Sequence, residues 1–300
     1  MKIYTIIVTY NAMAWIDWCL TSLRNSSVKT TVVVVDNCST DGTREHIPSV
    51  YPEIVWIPQD HNLGFGQGNN LGIRYALENE ADHVLLLNQD AAIEKDALQF
   101  MLQASDGESL VTPLMFNGDG TRFDTMFGYT LRDVSVGLLS SLILQNVLPD
   151  KVPIGETCAA CWLIPINIIK KIGGFNPLFF QYGEDNNYYQ RICYYKIRNI
   201  LVPHAHIYHD RGLVGNMLVY KAKQLRRDML LVACNINLSV FRCLLKALRL
   251  LAKCYVYDLP KHMYKPGTYL RDVVWIFCHL HSIAVSRRKE KRNKCCWLYE

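Results

Sequence analysis

No stretch of this chain reaches the roughly 18 consecutive uncharged apolar residues that suggest a membrane-crossing helix. The best candidates, Val134–Leu148 and Val273–Val285, are shorter and broken by polar residues. A basic start followed by a small-residue cleavage site is also missing, because Ile3 to Thr9 already reads as a strand, so a cytoplasmic protein is expected. The charged fraction is only 20%, which excludes a disordered polyelectrolyte. A net charge of +5 is a mild excess and does not point to nucleic acid as a partner. The eleven cysteines have no framework spacing, so a reducing compartment and mostly buried thiols are expected. Cys158 and Cys161 form one CxxC without a second pair, and core packing is favoured over zinc. There is no internal repeat.

What is present is a chain of 300 residues, 50% of them hydrophobic, enough for one large domain or one domain with an appendage. Strand and helix signals alternate through the first third. Ile3–Thr9 is β-branched and apolar; Ile16, Cys19, Leu20 and Leu23 follow at helical spacing. Thr31–Val35 is a pure β-branched run, the pattern of a buried parallel strand. Ser39 to Gly42 supplies cap residues for a short helix expected to end before Pro48. Ile54–Ile57 reads as a third strand, Asn62 to Asn70 as a glycine- and asparagine-rich turn followed by a helix to about Glu80, and His83–Leu87 as a fourth strand. Ala97, Leu98, Met101 and Leu102 mark another helix. Such alternation predicts an α/β fold with a mostly parallel sheet and helices on both faces.

Residues 113–155 lose this rhythm. Order returns with a strand at Cys158–Ile164, a helix at Ile168–Ile172, an aromatic turn from Phe175 to Phe180, a helix from Glu184-Asp185 and a strand at Ile197–Val202. From about Met217 the pattern is helical to the end. There Arg242, Lys246, Arg249 and Lys253 share one helix face, and Arg287 to Arg292 is strongly basic.

Ligands of parallel sheets sit beyond the carboxyl ends of the strands. Three polar clusters end strands here: Thr9-Tyr10-Asn11, Asp36-Asn37 and Asn88-Gln89-Asp90. A carboxylate at Asp36 accepts hydrogen bonds, which suits the N3–H of uracil or thymine; a turn cap is the equal alternative. Asp90 suits Mg²⁺ or Mn²⁺ carried by a diphosphate, with a cap again as the alternative. The Gly64 to Asn70 stretch fails the dinucleotide G-x-G-x-x-G register at Asn69 and follows the third strand rather than the first, which argues against a nicotinamide enzyme.

Taken together, Val8 to Asn11, Val35 to Thr43, Asn62 to Asn70, Leu86 to Asp90, Gly173 to Phe180, Glu184-Asp185 and His209-Asp210 resemble the family 2 glycosyltransferases, in particular the rhamnosyltransferase-like branch of bacterial polysaccharide synthesis. The pieces fall in the family's order over residues 3–212. The resemblance implies a GT-A fold over residues 1–212, a helical and basic extension over 213–300, and an inverting single displacement. It places the donor nucleotide against Thr9, Tyr10, Asn11, Asp36, Asn62, Gly66, Asn69 and Asn88. It gives the metal, Mg²⁺ or Mn²⁺, to Asp90 and His209, the sugars to Glu184 and Trp162, and the catalytic base to Asp185. The donor would be a UDP- or dTDP-sugar, with dTDP-rhamnose leading, and the acceptor a saccharide or lipid-linked saccharide. The motif reads Asn88-Gln89-Asp90, so only its last residue is a carboxylate, and Asn187 stands where many relatives carry an aspartate that orients the acceptor. His204 and His206 should point to one strand face and His209 to the other, which disfavours a three-histidine site.

Two other classes stay open: a sugar-nucleotide-binding protein without turnover, prompted by Asn187, and a nucleotidyltransferase, which expects a glycine-rich basic loop that Val8 to Met13 lacks. The basic amphipathic helices of the tail suggest peripheral contact with an anionic membrane at the cytoplasmic face of the inner membrane; a solvated face packed on the catalytic domain is the alternative.

Overall fold

A computed structural model of the chain describes residues 1–211, 224–258, 265–292 and 295–299. The first half follows the alternation: β1 (Ile3–Thr9), α1 (Ile16–Asn25), β2 (Thr31–Asp36), α2 (Thr43–Val50), β3 (Val55–Pro58), α3 (Gly64–Glu78), β4 (His83–Leu87), β5 (Ala91–Ile93) and α4 (Ala97–Ala104). β6 (Ser109–Asn117), α5 (Thr125–Gln145), β7 (Val152–Pro153), β8 (Cys161–Pro165), α6 (Ile166–Ile172), α7 (Glu184–Tyr194) and β9 (Arg198–His209) come next. The tail carries α8 (Gln224–Cys234), α9 (Val240–Lys253), a π-helical turn (Cys254–Asp258), α10 (Pro266–Cys278) and α11 (Leu280–Arg292). The helical start expected near Met217 lies outside the described residues.

All nine strands join one sheet in the order β3-β2-β1-β4-β8-β6-β9-β5, with β7 beside β9. β1 runs parallel to β2 and β4, and β2 parallel to β3; β8 enters antiparallel between β4 and β6. Alternate residues of each strand feed two cores. Ile7, Val34 and Leu85 pack on one face with Ile16, Cys19, Leu20 and Leu23 of α1 and Leu98 and Met101 of α4. Ile6, Val33 and Leu86 pack on the other with Ile73 and Ala76 of α3 and Tyr188 of α7. This is the doubly covered arrangement that buries a parallel sheet on both sides.

Three expectations change. The glycine-rich stretch is not a turn: it forms the first turns of α3, which begins at Gly64. Its glycines are there for close approach. A Cβ at Gly68 would lie 2.8 Å from Val8 Cγ1 and one at Gly72 would lie 2.5 Å from Ile6 Cγ2, so α3 lies directly on β1. Next, α2 runs through Pro48 to Val50. In so short a helix the missing N–H removes a single bond near the end. Finally, the arrhythmic stretch contains β6 and the 21-residue α5. α5 buries Phe127 and Leu131 but leaves Val136, Leu139, Ile143 and Leu144 exposed, so its apolar residues fall on every side and show no helical stripe.

The tail helices pack back onto the sheet-bearing part of the chain. Phe179 shares a core with Leu225, Met229, Leu230, Cys254, Ile276 and Ile283. The guanidinium of Arg191 on α7 is fully buried, donating to the carbonyls of Ile172 (2.7 Å) and Gly174 (2.6 Å), with its Nε 3.8 Å from Glu290 Oε1 of α11. Asn176 donates to the same Glu290 oxygen at 2.8 Å.

Candidate active site

The strand order 3-2-1-4 places a topological switch point between β1 and β4, because the chain turns to one side of β1 for β2 and to the other for β4. A crevice opens at the carboxyl ends of strands at such a point. Tyr10 and Gln89 join its two banks: the Tyr10 N–H donates to Gln89 Oε1 (2.7 Å), and Gln89 Nε2 donates to the Tyr10 carbonyl (3.2 Å).

On the β1–β2 side, Thr9 and Asp36 are register partners, and the Thr9 hydroxyl donates to Asp36 Oδ1 at 2.9 Å. The Asp36 carboxylate is fully buried and also accepts from the Ser39 N–H (3.0 Å) and hydroxyl, with Arg44 Nε 3.6 Å away. Both oxygens therefore already have donors: the Thr9 and Ser39 hydroxyls on Oδ1 and the Ser39 N–H on Oδ2. The serine, threonine and aspartate residues after β2 clamp the loop after β1. Ser39 Oγ accepts from the Asn11 N–H, Thr43 Oγ1 from the Ala12 N–H and Asp41 Oδ2 from the Met13 N–H. Asn11 has φ 53°, a left-handed conformation that asparagine tolerates, and its Oδ1 accepts from the Thr40 N–H.

α3 joins this side to the base of α7. Asn62 Oδ1 accepts from the Gly64 N–H (2.8 Å), and Asn37 Nδ2 donates to the Gly64 carbonyl (3.1 Å). A Cβ at Gly66 would lie 3.0 Å from Phe175 Cβ and 3.5 Å from Glu184 Cβ. Asn69 is buried and donates back to the Phe65 carbonyl of its own helix.

On the β4 side, β9 ends beside β5, with His209 opposite Ala91. His209 is almost wholly buried; its Nε2 lies 3.2 Å from Asp90 Oδ1 and its Nδ1 3.3 Å from Asp124 Oδ2. His206 pairs instead with Glu94 (2.8 Å) and His204 is exposed, on the face opposite His209, as alternation along β9 expects. Asp124 is buried as well. It caps α5 by accepting from the Met126 and Phe127 N–H groups and pairs with Arg211. Burial alone would raise the Asp124 pKa, but the His209 and Arg211 partners overcome it and hold the carboxyl well below the usual range. Burial would likewise lower His209, yet Asp124 and Asp90 hold the imidazole above its ordinary value.

Asp185, at the start of α7, accepts from the Asn186 N–H at 2.8 Å. Burial raises its pKa, against the pull of the backbone N–H groups of Asn186 and Ala159 and the charge of Arg211. Glu184 beside it is buried, with Oε2 unpartnered; burial and the Asp185 charge push it up to about 8.

Trp162 corrects one expectation. It is fully buried in the central strand β8, its ring packed against both Phe175 and Tyr188 and its Nε1 donating to Thr157 Oγ1 (3.0 Å), so it has no surface to offer a sugar. Asn187 also points inward. It is fully buried and is one of the groups facing Glu290, so a carboxylate here would meet another carboxylate rather than an acceptor. Asp124 and Arg211 went unnoticed in the sequence; the one available signal was Asp124-Thr125 as a helix start.

Among the described residues no three His, Cys, Asp or Glu side chains gather as a protein-only metal site. Asp90 and His209 nevertheless make an oxygen–nitrogen pair, and Asn88 Oδ1 beside them is buried without a partner. That set fits a divalent cation whose remaining ligands come from a diphosphate.

The doubly covered sheet, with Thr9, Asp36 and Asp90 at the carboxyl ends of β1, β2 and β4, matches the GT-A class of glycosyltransferase fold of the solved structures it resembles. The chain belongs to Glycosyl transferase family 2, whose sequence profile matches residues 4–172. It is 31% identical over 159 residues to a low-salt glycan biosynthesis hexosyltransferase of Haloferax volcanii, covering 51% of this chain and 50% of that one. It is 24% identical over 231 residues to an N-acetylglucosaminyl-diphospho-decaprenol L-rhamnosyltransferase of Mycobacterium tuberculosis, covering 69% of this chain and 75% of that one. Its fold is similar to S. aureus TarS residues 1–349 (TM-score 0.58, 17% identity, 97% of this chain and 90% of that one). It is also similar to a mannosyltransferase of Pyrobaculum calidifontis in complex with GDP-Man and Mn²⁺ (TM-score 0.57, 15% identity, 100% and 88%). The chain spans half the length of the Haloferax relative. Among the described residues no helix is long and apolar enough to cross a membrane.

Proposed function

We propose that this protein is an inverting glycosyltransferase that moves one sugar from a UDP- or dTDP-sugar to a saccharide or lipid-linked saccharide in cell-surface polysaccharide synthesis, working in the cytoplasm at the membrane face. dTDP-rhamnose is the leading donor, because relatives include rhamnosyltransferases. The observation that carries the reading is the chain of contacts from Asp90 through His209 and Asp124 to Arg211, whose charge acts on Asp185, at the carboxyl ends of the strands as Asp36 is. Residues 1–212 form the catalytic unit in this reading, with 213–300 as a docked extension.

In this mechanism Thr9, Tyr10, Asn11, Asn62, Gly66 and Asn69 shape the nucleotide side, Asn88 lines the diphosphate, and Asp36 takes the base N3–H in place of the Ser39 hydroxyl. Asp90 and His209 hold Mg²⁺ or Mn²⁺, which supplies charge stabilisation for the leaving diphosphate. Asp185 takes the proton of the acceptor hydroxyl as its oxygen bonds to the anomeric carbon and the bond from that carbon to the diphosphate breaks. The raised Asp185 pKa makes it a better base than an exposed aspartate. Neutral Glu184, with a proton to donate, suits a hydroxyl of the transferred sugar. Holding donor and acceptor in line provides much of the remaining acceleration.

The test is a thermal-shift panel of nucleotide sugars with Mn²⁺. Stabilisation follows occupancy. Selective stabilisation by a dTDP- or UDP-sugar supports the reading, and no response to any pyrimidine nucleotide sugar overturns it.

A further inference from the structure

α9 is divided lengthwise into three strips. Cys243, Ala247, Leu250 and Leu251 face the protein, Cys243 buried and the others half-buried against the tail core. Next to them, Phe241, Leu244, Leu245 and Leu248 face outward; Phe241 is 68% and Leu248 62% exposed. The third strip is Arg242, Lys246, Arg249 and Lys253, all exposed and none in an ion pair among the described residues. At 100° per residue the apolar and basic strips lie side by side along the helix. Tyr255 and Tyr257 follow directly, also exposed.

An apolar strip of this size held in water is unfavourable unless something covers it. α9 carries no acidic residue, so a second copy of the helix would set apolar surface against apolar surface without any anion for the four cations. A bilayer of anionic lipid satisfies both strips at once: the apolar side chains enter the headgroup and acyl boundary, the tyrosines suit the interface, and the cations meet phosphate.

We propose that the outer face of α9 is a membrane-docking surface that seats the enzyme on anionic phospholipid by shallow insertion of Phe241, Leu244, Leu245 and Leu248 beside Arg242, Lys246, Arg249 and Lys253. This deepens the reading above by naming the surface on which a lipid-linked acceptor is met, and it rests on that reading for the nature of the acceptor alone.

The experiment is co-sedimentation of the full chain with phosphatidylcholine vesicles, with and without phosphatidylglycerol. Wild type is expected to pellet with the anionic vesicles at least about tenfold more strongly than with the neutral ones, and less at high salt. The variant Phe241→Ser/Leu244→Ser/Leu248→Ser and the variant Arg242→Gln/Lys246→Gln/Arg249→Gln should each lose about tenfold or more in vesicle affinity. Unchanged far-UV circular dichroism and thermal midpoint without any ligand show that both remain folded. Wild type that stays in the supernatant overturns the proposal, as does unaltered pelleting of the serine variant. So does a lipid-free dimer that the serine substitutions dissociate, which would make a second copy the occupant. Vesicle binding is read without donor, so failure of nucleotide-sugar binding in wild type counts against the transfer function and leaves this result standing.

Discussion

Asp124 Oδ2 lies 3.3 Å from His209 Nδ1, so the imidazole whose other nitrogen faces Asp90 is held from behind by a buried carboxylate. The same aspartate caps α5, and its two roles can be separated. Asparagine caps a helix about as well as aspartate but carries no charge. Asp124→Asn therefore keeps the cap but takes the carboxylate away from buried His209 and from Arg211, so a loss of about 3 kcal/mol is expected, while metal-dependent nucleotide affinity falls about 10- to 100-fold. Asp124→Ala should also lose about 1 kcal/mol of stability with the cap. Calorimetric titration of UDP or dTDP with and without Mn²⁺ checks this. A purely structural Asp124 would leave the metal-dependent increment of the asparagine variant untouched.

Asp90 is the more direct test of the cation site. Asp90→Ala is expected to abolish the gain in donor affinity that Mn²⁺ gives wild type and to leave metal-free affinity near its original value. Equal affinity with and without Mn²⁺ in both proteins would remove Asp90 from that role.

Glu184 gives a pH signature. Its pKa in the folded protein, about 8, is above the ordinary value of 4.5, so between these limits the folded state holds a proton that the unfolded state has lost. Its contribution is therefore full below the lower value and fades as pH rises towards the upper one. Glu184→Gln should match wild type near pH 5 and exceed it by about 1 kcal/mol or more above pH 8, in urea titrations at both pH values. A difference that does not grow with pH would contradict the shift.

Asn187 is expected to resist the exchange that family resemblance invites. Asn187→Asp places a second carboxyl group against buried Glu290, so a loss of roughly 3 kcal/mol in chemical denaturation is expected, without a gain in transfer. Faster transfer with intact stability would show that the position does reach the acceptor.

Much of this architecture is legible in the sequence. Ile16, Cys19, Leu20 and Leu23 announced α1 because a helix with one buried face prints that face as a period, and the valines of β2 announced a strand buried on both sides. α5 was hidden because its apolar residues surround it. The start of α3 is hidden because its glycines report close contact with Val8 and Ile6, which local propensity does not encode. At the site, the strand-end residues Thr9, Asp36 and Asp90 could be read from one segment at a time. The link from His209 to Asp124 joins residues 85 positions apart, and Trp162 betrays its burial only once β8 is seen between β4 and β6.

The central claim is that one crevice brings a donor and a proton acceptor together, and Asp185→Asn tests it most directly. Donor affinity in the presence of Mn²⁺ and single-turnover transfer are measured on the same preparation. The account expects wild-type donor affinity with transfer reduced by about 10²- to 10⁴-fold, the usual worth of a general base. Transfer at the wild-type rate with the asparagine in place would contradict it.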